Sequence, residues 1–316
     1  MEFPYLPNSV QSKSQASKQF LDETSLFRVI AKSVDCAAPR YRNEVLIGEG
    51  GVAKVYRAMD TRLRYPVALK RFRETCPAKM AEDYRSEMTA AALANHTNVM
   101  SILDADSDEN GRFIVMELIE GRNAEEVFSG DGNVQGLHDF INFAIQSLEG
   151  LNAVHAGGLL HLDLKPSNIM ITGLLSGRSH VKIIDFGRCQ LMSGHLGRLP
   201  RGRGLNGSIY YSAPEQFLRE LLDRRTDLYA LGAVFYWVLT GKRPFGGDNE
   251  VQVMAAHLQH FFVTPLAELR PDLPNWLANW VMSFIKTDPN QRLADTSEAL
   301  ASLLKGLEGY RMGRIS

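Results

Sequence analysis

Hydrophobic and polar residues follow a short, strand-like pattern between Tyr41 and about Met116. Turn residues separate the segments, notably Gly50-Gly51 and Asn110-Gly111. Apolar and polar residues that alternate over a few positions between turns are typical of half-buried β-strands. The stretch from Ala81 to Leu93 has helical spacing instead, so this part of the chain is predicted to form a sheet with one main helix.

After Gly121 the apolar residues recur at helical spacing. The predicted helices are Leu137–His155, Asp223–Leu239, Val251–His260, Trp276–Ile285 and Thr296–Leu304. The longest apolar run, Leu228–Leu239, is too short to span a bilayer and indicates a buried helix. A β-rich N-lobe followed by a helical C-lobe predicts an α+β, bilobal fold with a cleft between the lobes.

The N-terminal residues follow neither pattern. Residues 1–19 are rich in Ser, Gln and Lys and are predicted to be disordered, whereas apolar residues within 20–34 recur at helical spacing. We interpret segment 20–34 as a helix that packs on the domain's own surface or docks on a partner protein. The predicted divisions are an extension at 1–40, a domain at 41–306 made of an N-lobe at 41–116, a hinge at 117–121 and a C-lobe at 122–306, and a tail at 307–316.

Charge and cysteine usage exclude several classes of protein. The formal net charge of −1 provides no basic field for nucleic acid or an acidic membrane surface. The cysteines Cys36, Cys76 and Cys189 have no metal-ligand spacing, which favours a reducing compartment. The N-terminus lacks the charged and apolar regions of a secretory signal. We therefore expect a cytoplasmic protein that binds neither nucleic acid nor membrane.

A glycine-rich turn joins two of the predicted strands, in the string Ile47-Gly48-Glu49-Gly50-Gly51-Val52-Ala53-Lys54-Val55-Tyr56. Glycines allow the backbone to approach a polyphosphate closely and to point N–H groups at it. The competing interpretation is a dinucleotide-binding turn, which requires a helix directly after the glycines. Val55 and Tyr56 continue as a strand, which favours the first interpretation.

The candidate chemistry lies in two strings of the helical half, His161-Leu162-Asp163-Leu164-Lys165-Pro166-Ser167-Asn168 and Asp185-Phe186-Gly187. Asp163 can orient a hydroxyl and accept its proton, and Lys165 can contact a transferring phosphoryl group. Asn168 and Asp185 carry the oxygen ligands that Mg²⁺ prefers. The ordered set indicates transfer of the γ-phosphate of ATP to a hydroxyl.

Together with Val67-Ala68-Leu69-Lys70 and Gly207–Glu215, these strings resemble the Hanks-type, eukaryotic-like serine/threonine protein kinases, and the G-x-G-G-V turn resembles the bacterial subgroup. The resemblance covers about Tyr41 to Leu304. It implies a protein kinase fold, the cofactors ATP and Mg²⁺ with Mn²⁺ as a second option, and protein substrates. Lys165 is similar to the lysine of Ser/Thr kinases rather than tyrosine kinases.

By the same resemblance, Lys70 would bind the α- and β-phosphates and needs a buried carboxylate partner. Glu82 and Glu87 lie on the predicted helix, and Glu87 has the family's spacing from His96-Thr97-Asn98. The implied catalytic residues are Asp163, Lys165, Asn168, Lys70 and Glu87, and the implied metal ligands are Asn168 and Asp185.

The resemblance also implies a set of nucleotide-binding residues. Met116 would be the gatekeeper, the backbone from Glu117 to Ile119 would bind adenine, and Asn123 would lie near the ribose. The full set is Ile47, Gly48, Gly50, Gly51, Val55, Ala68, Lys70, Met116, Glu117, Ile119, Asn123 and Met170.

Three further matches concern structure rather than chemistry. Ser208 takes the position from which a hydroxyl would bridge Asp163 and Lys165. Asp227 resembles the helix-start aspartate that braces the catalytic loop. Arg292 is expected to form a buried ion pair with Glu215.

Leu162 departs from the family, which usually has an arginine before the catalytic aspartate. That arginine binds a phosphate on the activation segment, here residues 185–215, and leucine cannot do so. The segment contains no threonine. We therefore predict activity that does not depend on phosphorylation of this segment.

Two alternative functions remain open at this stage. A pseudokinase scaffold would keep the fold without the chemistry, which the retained polar set argues against. A small-molecule kinase of related fold would generally lack Ala213-Pro214-Glu215, Asp227 and Arg292, and all of these are present.

Overall fold

The structure is a computed structural model that describes residues 39–73, 77–129, 136–173, 179–192, 208–259 and 263–314. The predicted disordered segment 1–19 and the predicted helix 20–34 lie outside the described residues.

The N-lobe contains an antiparallel sheet of five strands in the order β1-β2-β3-β5-β4. The strands are β1 (Tyr41–Glu49), β2 (Ala53–Asp60), β3 (Tyr65–Phe72), β4 (Ile102–Asp108) and β5 (Gly111–Glu117). Successive side chains of a strand point to opposite faces. In β3, Val67 and Leu69 therefore pack on one face, whereas Ala68 packs on the other, on which Lys70 also lies.

One helix, α1 (Pro77–Leu93), follows the third strand. It begins earlier than the predicted start at Ala81, and its first residue is a proline, which is favoured at this position because it has no N–H to leave unpaired. Asp83 and Glu87, one turn apart on α1, are both buried. The helix thus carries two acidic side chains into the protein interior.

The C-lobe is mainly helical. Its helices are α2 (Ala124–Phe128), α3 (Leu137–Ala156), α4 (Pro214–Leu218), α5 (Arg224–Thr240), α6 (Glu250–Leu258), α7 (Leu266–Leu269), α8 (Asn275–Phe284) and α9 (Thr296–Arg311). Its short strands are β6 (Gly121–Asn123), β7 (Leu159–Leu160), β8 (Ile169–Thr172), β9 (His180–Ile183) and β10 (Gln190–Leu191), arranged as β6-β8-β9 and β10-β7. The predicted α+β, bilobal fold is confirmed.

The helices predicted at Ala81–Leu93 and in the C-lobe are present, and α9 is longer than predicted. It continues past Leu304 to Arg311 because Leu307 still packs on the core and Trp276 lies over Gly306. The predicted domain boundary at residue 306 therefore falls inside a helix. Within the described ranges, no helix is long and apolar enough to cross a membrane.

A buried histidine lies in the C-lobe, on α6. The side chain of His257 is fully buried, its Nδ1 lies 2.7 Å from the Tyr229 hydroxyl, and its ring packs 4.3 Å from that of Phe245. Burial lowers the pKa of His257 from 6.5 to about 3. The folded protein therefore keeps this ring neutral at a pH where the unfolded chain binds a proton.

We expect this difference to reduce stability in acid. Between pH 6.5 and about 3, unfolding takes up a proton at His257, so the free energy of unfolding falls by about 1.4 kcal/mol per pH unit of acidification. Urea unfolding between pH 6.5 and 5 should show that His257→Phe removes this part of the slope. His138→Phe, which replaces a histidine on the surface, is measured as the matched control. Equal slopes in wild type and His257→Phe would contradict the expectation.

Candidate active site

A cavity of about 520 Å³ lies between the five-stranded sheet and the C-lobe. All twelve residues of the predicted nucleotide-binding set line it, as do the predicted catalytic residues and Asp185. The sequence therefore identified a single cleft from residues that are far apart in the chain.

The glycine-rich turn connects β1 to β2 and forms one wall of the cavity. The backbone N–H of Gly50 donates to the carbonyl of Ala53 at 2.9 Å, and β2 begins at Ala53. A strand rather than a helix follows the glycines, which excludes the dinucleotide-binding turn. A Cβ atom added at Gly51 would meet nothing within 4 Å, so the backbone there is open to a bound group.

The side of the cavity that the sequence predicts to bind adenine is formed by the end of β5 and the connector. Met116 is 4% exposed and pairs with Ala68 on the neighbouring strand. The Glu117 carboxylate accepts hydrogen bonds from Lys182 Nζ at 2.8 Å and from the Ser101 N–H at 2.7 Å. These bonds fix the connector, so that its backbone groups can act as the adenine-binding element.

Asn123 has a structural task besides the predicted ribose contact. Its Oδ1 accepts the backbone N–H of Glu126 at 2.9 Å, and this bond caps the start of α2. The side-chain NH₂ donors are then the groups that Asn123 can offer to a ribose.

Lys70, on β3, lies between two carboxylates. Its Nζ contacts Glu87 Oε1 on α1 and lies 2.7 Å from Asp185 Oδ1. The Glu87 side chain is fully buried. Of the two glutamates considered from the sequence, the structure places Glu87 against Lys70.

The opposite charges of Lys70 and its two carboxylate partners shift the pKa values of these side chains. Although burial opposes it, the carboxylates of Asp185 and Glu87 hold the pKa of Lys70 above its ordinary value. Lys70 in turn holds the pKa of Asp185 well below its ordinary range, whereas burial raises the pKa of Glu87. At neutral pH, Lys70 is therefore a cation and Asp185 an anion, as a site for phosphate and a metal ion requires.

Hydrogen bonds to Asp227 hold the loop that precedes Asp163. The carboxylate of Asp227 accepts the N–H groups of His161 and Leu162, each at 2.8 Å, and contacts His155 Nε2 at 2.8 Å. Leu162 has a φ of +61°, a strained value for a residue with a side chain. The predicted brace from Asp227 is confirmed, and it stabilises this strained turn.

Asp163 lies at the centre of a small hydrogen-bond network. Its Oδ2 is 3.0 Å from Lys165 Nζ and 3.1 Å from Asn168 Nδ2, which also donates to the Asp163 carbonyl at 2.8 Å. Because the NH₂ group of Asn168 is used in this way, its Oδ1 is the atom that can bind a cation. The network therefore orients both the candidate base and a candidate metal ligand.

The donor set fits a magnesium ion held together with phosphate. Among the described residues, no cluster of three or more His, Cys, Asp or Glu side chains could hold a metal ion by itself. Mg²⁺ usually binds through one or two protein oxygens plus substrate phosphates and water. Asn168 and Asp185 line the same cavity and supply this minimal set.

Arg188 and Asp83 are ionisable residues of the cleft that were not predicted as site residues. Arg188 Nη1 lies 3.3 Å from Asp163 Oδ1. Asp83 lies one turn before Glu87 on α1 and is 8% exposed. Both had a signal in the sequence, since Arg188 directly follows Asp185-Phe186-Gly187 and Asp83 has i,i+4 spacing from Glu87.

Below the cleft, Arg292 and Glu215 form the predicted buried ion pair. The Arg292 guanidinium lies 2.7 Å and 2.9 Å from the two carboxylate oxygens of Glu215, and both side chains are almost fully buried. The predicted bridge from the Ser208 hydroxyl involves a side chain that lies outside the described part of the structure. Leu162 is buried in an apolar cluster with Leu160 and Leu222, against which Met192 packs.

The family profile described as protein kinase domain matches residues 41–304. The chain belongs to the protein kinase family. The resemblance inferred from the motifs is thereby confirmed.

Several of the curated relatives to which this chain is similar are bacterial. A probable serine/threonine-protein kinase of Clostridium acetobutylicum is 33% identical over 273 residues, which cover 86% of this chain and 40% of the relative. The serine/threonine-protein kinase PrkC of Bacillus subtilis is 30% identical over 276 residues, covering 86% and 41%. A probable PknB of Bifidobacterium longum is 33% identical over 288 residues, covering 86% and 40%. The chain thus spans about two-fifths of the length of these relatives.

Proposed function

We propose that this kinase transfers the γ-phosphate of ATP to serine and threonine hydroxyls of proteins, with Mg²⁺ or Mn²⁺ as the metal ion. The observation that carries the proposal is the arrangement of Lys70, Glu87, Asp163, Asn168 and Asp185 around one cavity. The relatives named serine/threonine-protein kinases and the lysine at position 165 support the choice of acceptor.

In this mechanism, each polar group of the cleft has a separate task. Asp163 accepts a hydrogen bond from the acceptor hydroxyl, orients its oxygen and takes its proton as the phosphoryl group is transferred. Lys165 lies beside Asp163 and stabilises negative charge on the transferring group. Lys70, fixed by Glu87, binds the α- and β-phosphates.

Asn168 and Asp185 would hold the metal ion. When bound, the ion neutralises charge on the phosphate oxygens and holds them in position. The backbone at Gly51, which is open to the cavity, would point N–H groups at the phosphates.

The direct test is phosphate transfer from labelled Mg·ATP by the purified chain to itself and to a mixed protein substrate, followed by phosphoamino-acid analysis. Lys70→Met is the control for contaminating kinases. Phosphoserine or phosphothreonine that is absent with Lys70→Met would support the proposal. ATP binding without transfer would instead support a scaffold, and transfer to small molecules alone would support a small-molecule kinase.

We further propose that this activity does not need a phosphorylated activation segment. Leu162 lies in the apolar cluster with Leu160, Leu222 and Met192 and offers no positive charge to a phosphate. The start of the segment is already paired, as β10, with β7. The docking function of residues 20–34, the cytoplasmic location and the division of the chain at residues 40 and 306 stay predictions from the sequence.

Phosphatase treatment should therefore leave the turnover number unchanged within about twofold, because no cation at position 162 depends on a phosphate partner. Phosphate removal is verified by mass spectrometry, and Ser193→Ala is assayed beside the treated wild type. A loss of about tenfold or more in both samples would contradict the prediction. Ser208→Ala is less informative, because that hydroxyl is also expected to contact the catalytic loop.

A further inference from the structure

Arg188 brings a positive charge to the candidate base from the activation segment. Its Nη1 lies 3.3 Å from Asp163 Oδ1, whereas Lys165 and Asn168 bind Oδ2 of the same carboxylate. The side chain of Arg188 is 17% exposed. Both oxygens of Asp163 are thus held, and the residue that holds Oδ1 belongs to a different segment of the chain.

The backbone that carries Arg188 is anchored on both sides of the cleft. The thiol of the next residue, Cys189, donates to the carbonyl of Ser86 on α1 at 2.9 Å, and its N–H donates to the Phe186 carbonyl at 3.0 Å. Further along, β10 pairs with β7, and the Met192 N–H donates to the Gly158 carbonyl at 2.7 Å. The backbone around Arg188 is therefore held in place by these hydrogen bonds.

The charges of the cleft give Arg188 a role distinct from that of the other cations. Among the described residues that line the cavity, the cations are Lys70, Lys165 and Arg188. Lys70 is bound to Glu87 and Asp185, and Lys165 comes from the same loop as Asp163. Only Arg188, of these three, links Asp163 to the activation segment.

We propose that Arg188 is a positioning residue for Asp163, and that this ion pair couples the activation segment to the catalytic loop without a phosphate. The proposal rests on the proposed kinase function. Leu162 and Met192 pack in one apolar cluster beside the ion pair and add a second contact between the same two segments. The position of the catalytic aspartate is then set by contacts that exist in the unmodified protein.

The test is steady-state kinetics of Arg188→Ala with Mg·ATP and a protein substrate. The kcat should fall by about 10- to 100-fold, because misplacing a catalytic group affects the transition state, whereas the KM for ATP stays within about twofold. Arg188→Lys should keep kcat within about fivefold of wild type, since a single charge contact is retained. Arg57→Ala, which removes an exposed arginine of β2 away from the cleft, should behave as wild type.

Three results would overturn the proposal. The first is a kcat of Arg188→Ala within about twofold of wild type. The second is an equal loss in Arg188→Lys and Arg188→Ala, which would exclude charge as the cause. The third is a parallel loss of ATP affinity and melting temperature in Arg188→Ala, which would indicate a general structural role.

Hydrogen–deuterium exchange tests the coupling independently of turnover. Arg188→Ala should increase exchange in peptides covering residues 161–168 and 186–192, whereas Arg57→Ala should not. Unchanged exchange in Arg188→Ala would contradict the coupling even if the wild type is active. A wild-type protein without phosphate transfer would refute the proposed function, and the exchange comparison would still decide the coupling.

Discussion

Asp163→Asn is expected to reduce the turnover number for protein phosphorylation by about 10²- to 10⁴-fold, the usual contribution of a general base. The amide keeps the shape of the side chain but cannot accept the proton. It also places an NH₂ group where Lys165 and Asn168, or Arg188, now donate to a carboxylate oxygen. The new NH₂ group would face N–H donors of these residues, and two donors cannot form a hydrogen bond with each other. The side chain of the variant would therefore not keep the orientation of the Asp163 carboxylate.

The loss should be confined to the chemical step. The residues proposed to bind adenine are unchanged in this variant, so the Kd for Mg·ATP should stay within about threefold. Calorimetry for nucleotide binding and a quenched single-turnover assay for transfer separate the two quantities. Asp272→Asn is the matched control, because Asp272 forms a surface pair with Arg270 outside the cleft. A turnover number within tenfold of wild type would exclude Asp163 as the base.

Arg292→Met is expected to lower the free energy of unfolding by about 3–5 kcal/mol, because it leaves the Glu215 carboxylate buried without its cation. The guanidinium also donates to the carbonyls of Lys286, Thr287 and Arg225 at 2.7, 2.9 and 3.0 Å, and these bonds are lost with it. Glu215 keeps only its bond from the Thr226 hydroxyl, at 2.9 Å, among the partners described for its carboxylate.

The reverse substitution, Glu215→Gln, should cost less, about 1–3 kcal/mol, since Arg292 keeps its carbonyl partners and one amide oxygen. The double variant Arg292→Met with Glu215→Met should be more stable than the sum of the single losses predicts. Urea unfolding measures all of these free energies. The control is Asp272→Ala, whose pair with Arg270 has the same 2.7 Å distance but is exposed, and should cost at most about 1 kcal/mol. Equal losses from the buried and the exposed pair would contradict the argument.

The parts of the site that were predicted from the sequence are those encoded by local strings. The glycine-rich turn and the string around Asp163 each fix a backbone shape and a donor type within a few residues. The resemblance to protein kinases that these strings carry in their order implied that Lys70, Glu87 and Asp185 lie in one cleft. The change in apolar spacing near Gly121 was enough to predict a β-rich half followed by a helical half.

The parts that were not predicted depend on contacts between distant segments. The contact between Arg188 and Asp163 depends on how distant segments fold together, including the pairing of β10 with β7. Neither of these two-residue strands has a recognisable sequence pattern. The position of the Glu117 carboxylate depends on Lys182, which comes from β9 in the other lobe. The early start of α1 could have been read from Pro77, since proline is common in the first turn of a helix.

The length of α9 has a consequence for anyone who shortens this chain. The family match ends at residue 304, but α9 continues to Arg311, about two further turns. Gly306 allows the helix to lie directly on the indole of Trp276, because an added Cβ atom would come within 2.3 Å of the ring. A chain cut where the homology stops would leave this indole surface facing water. The end of the family match and the end of α9 are therefore different places.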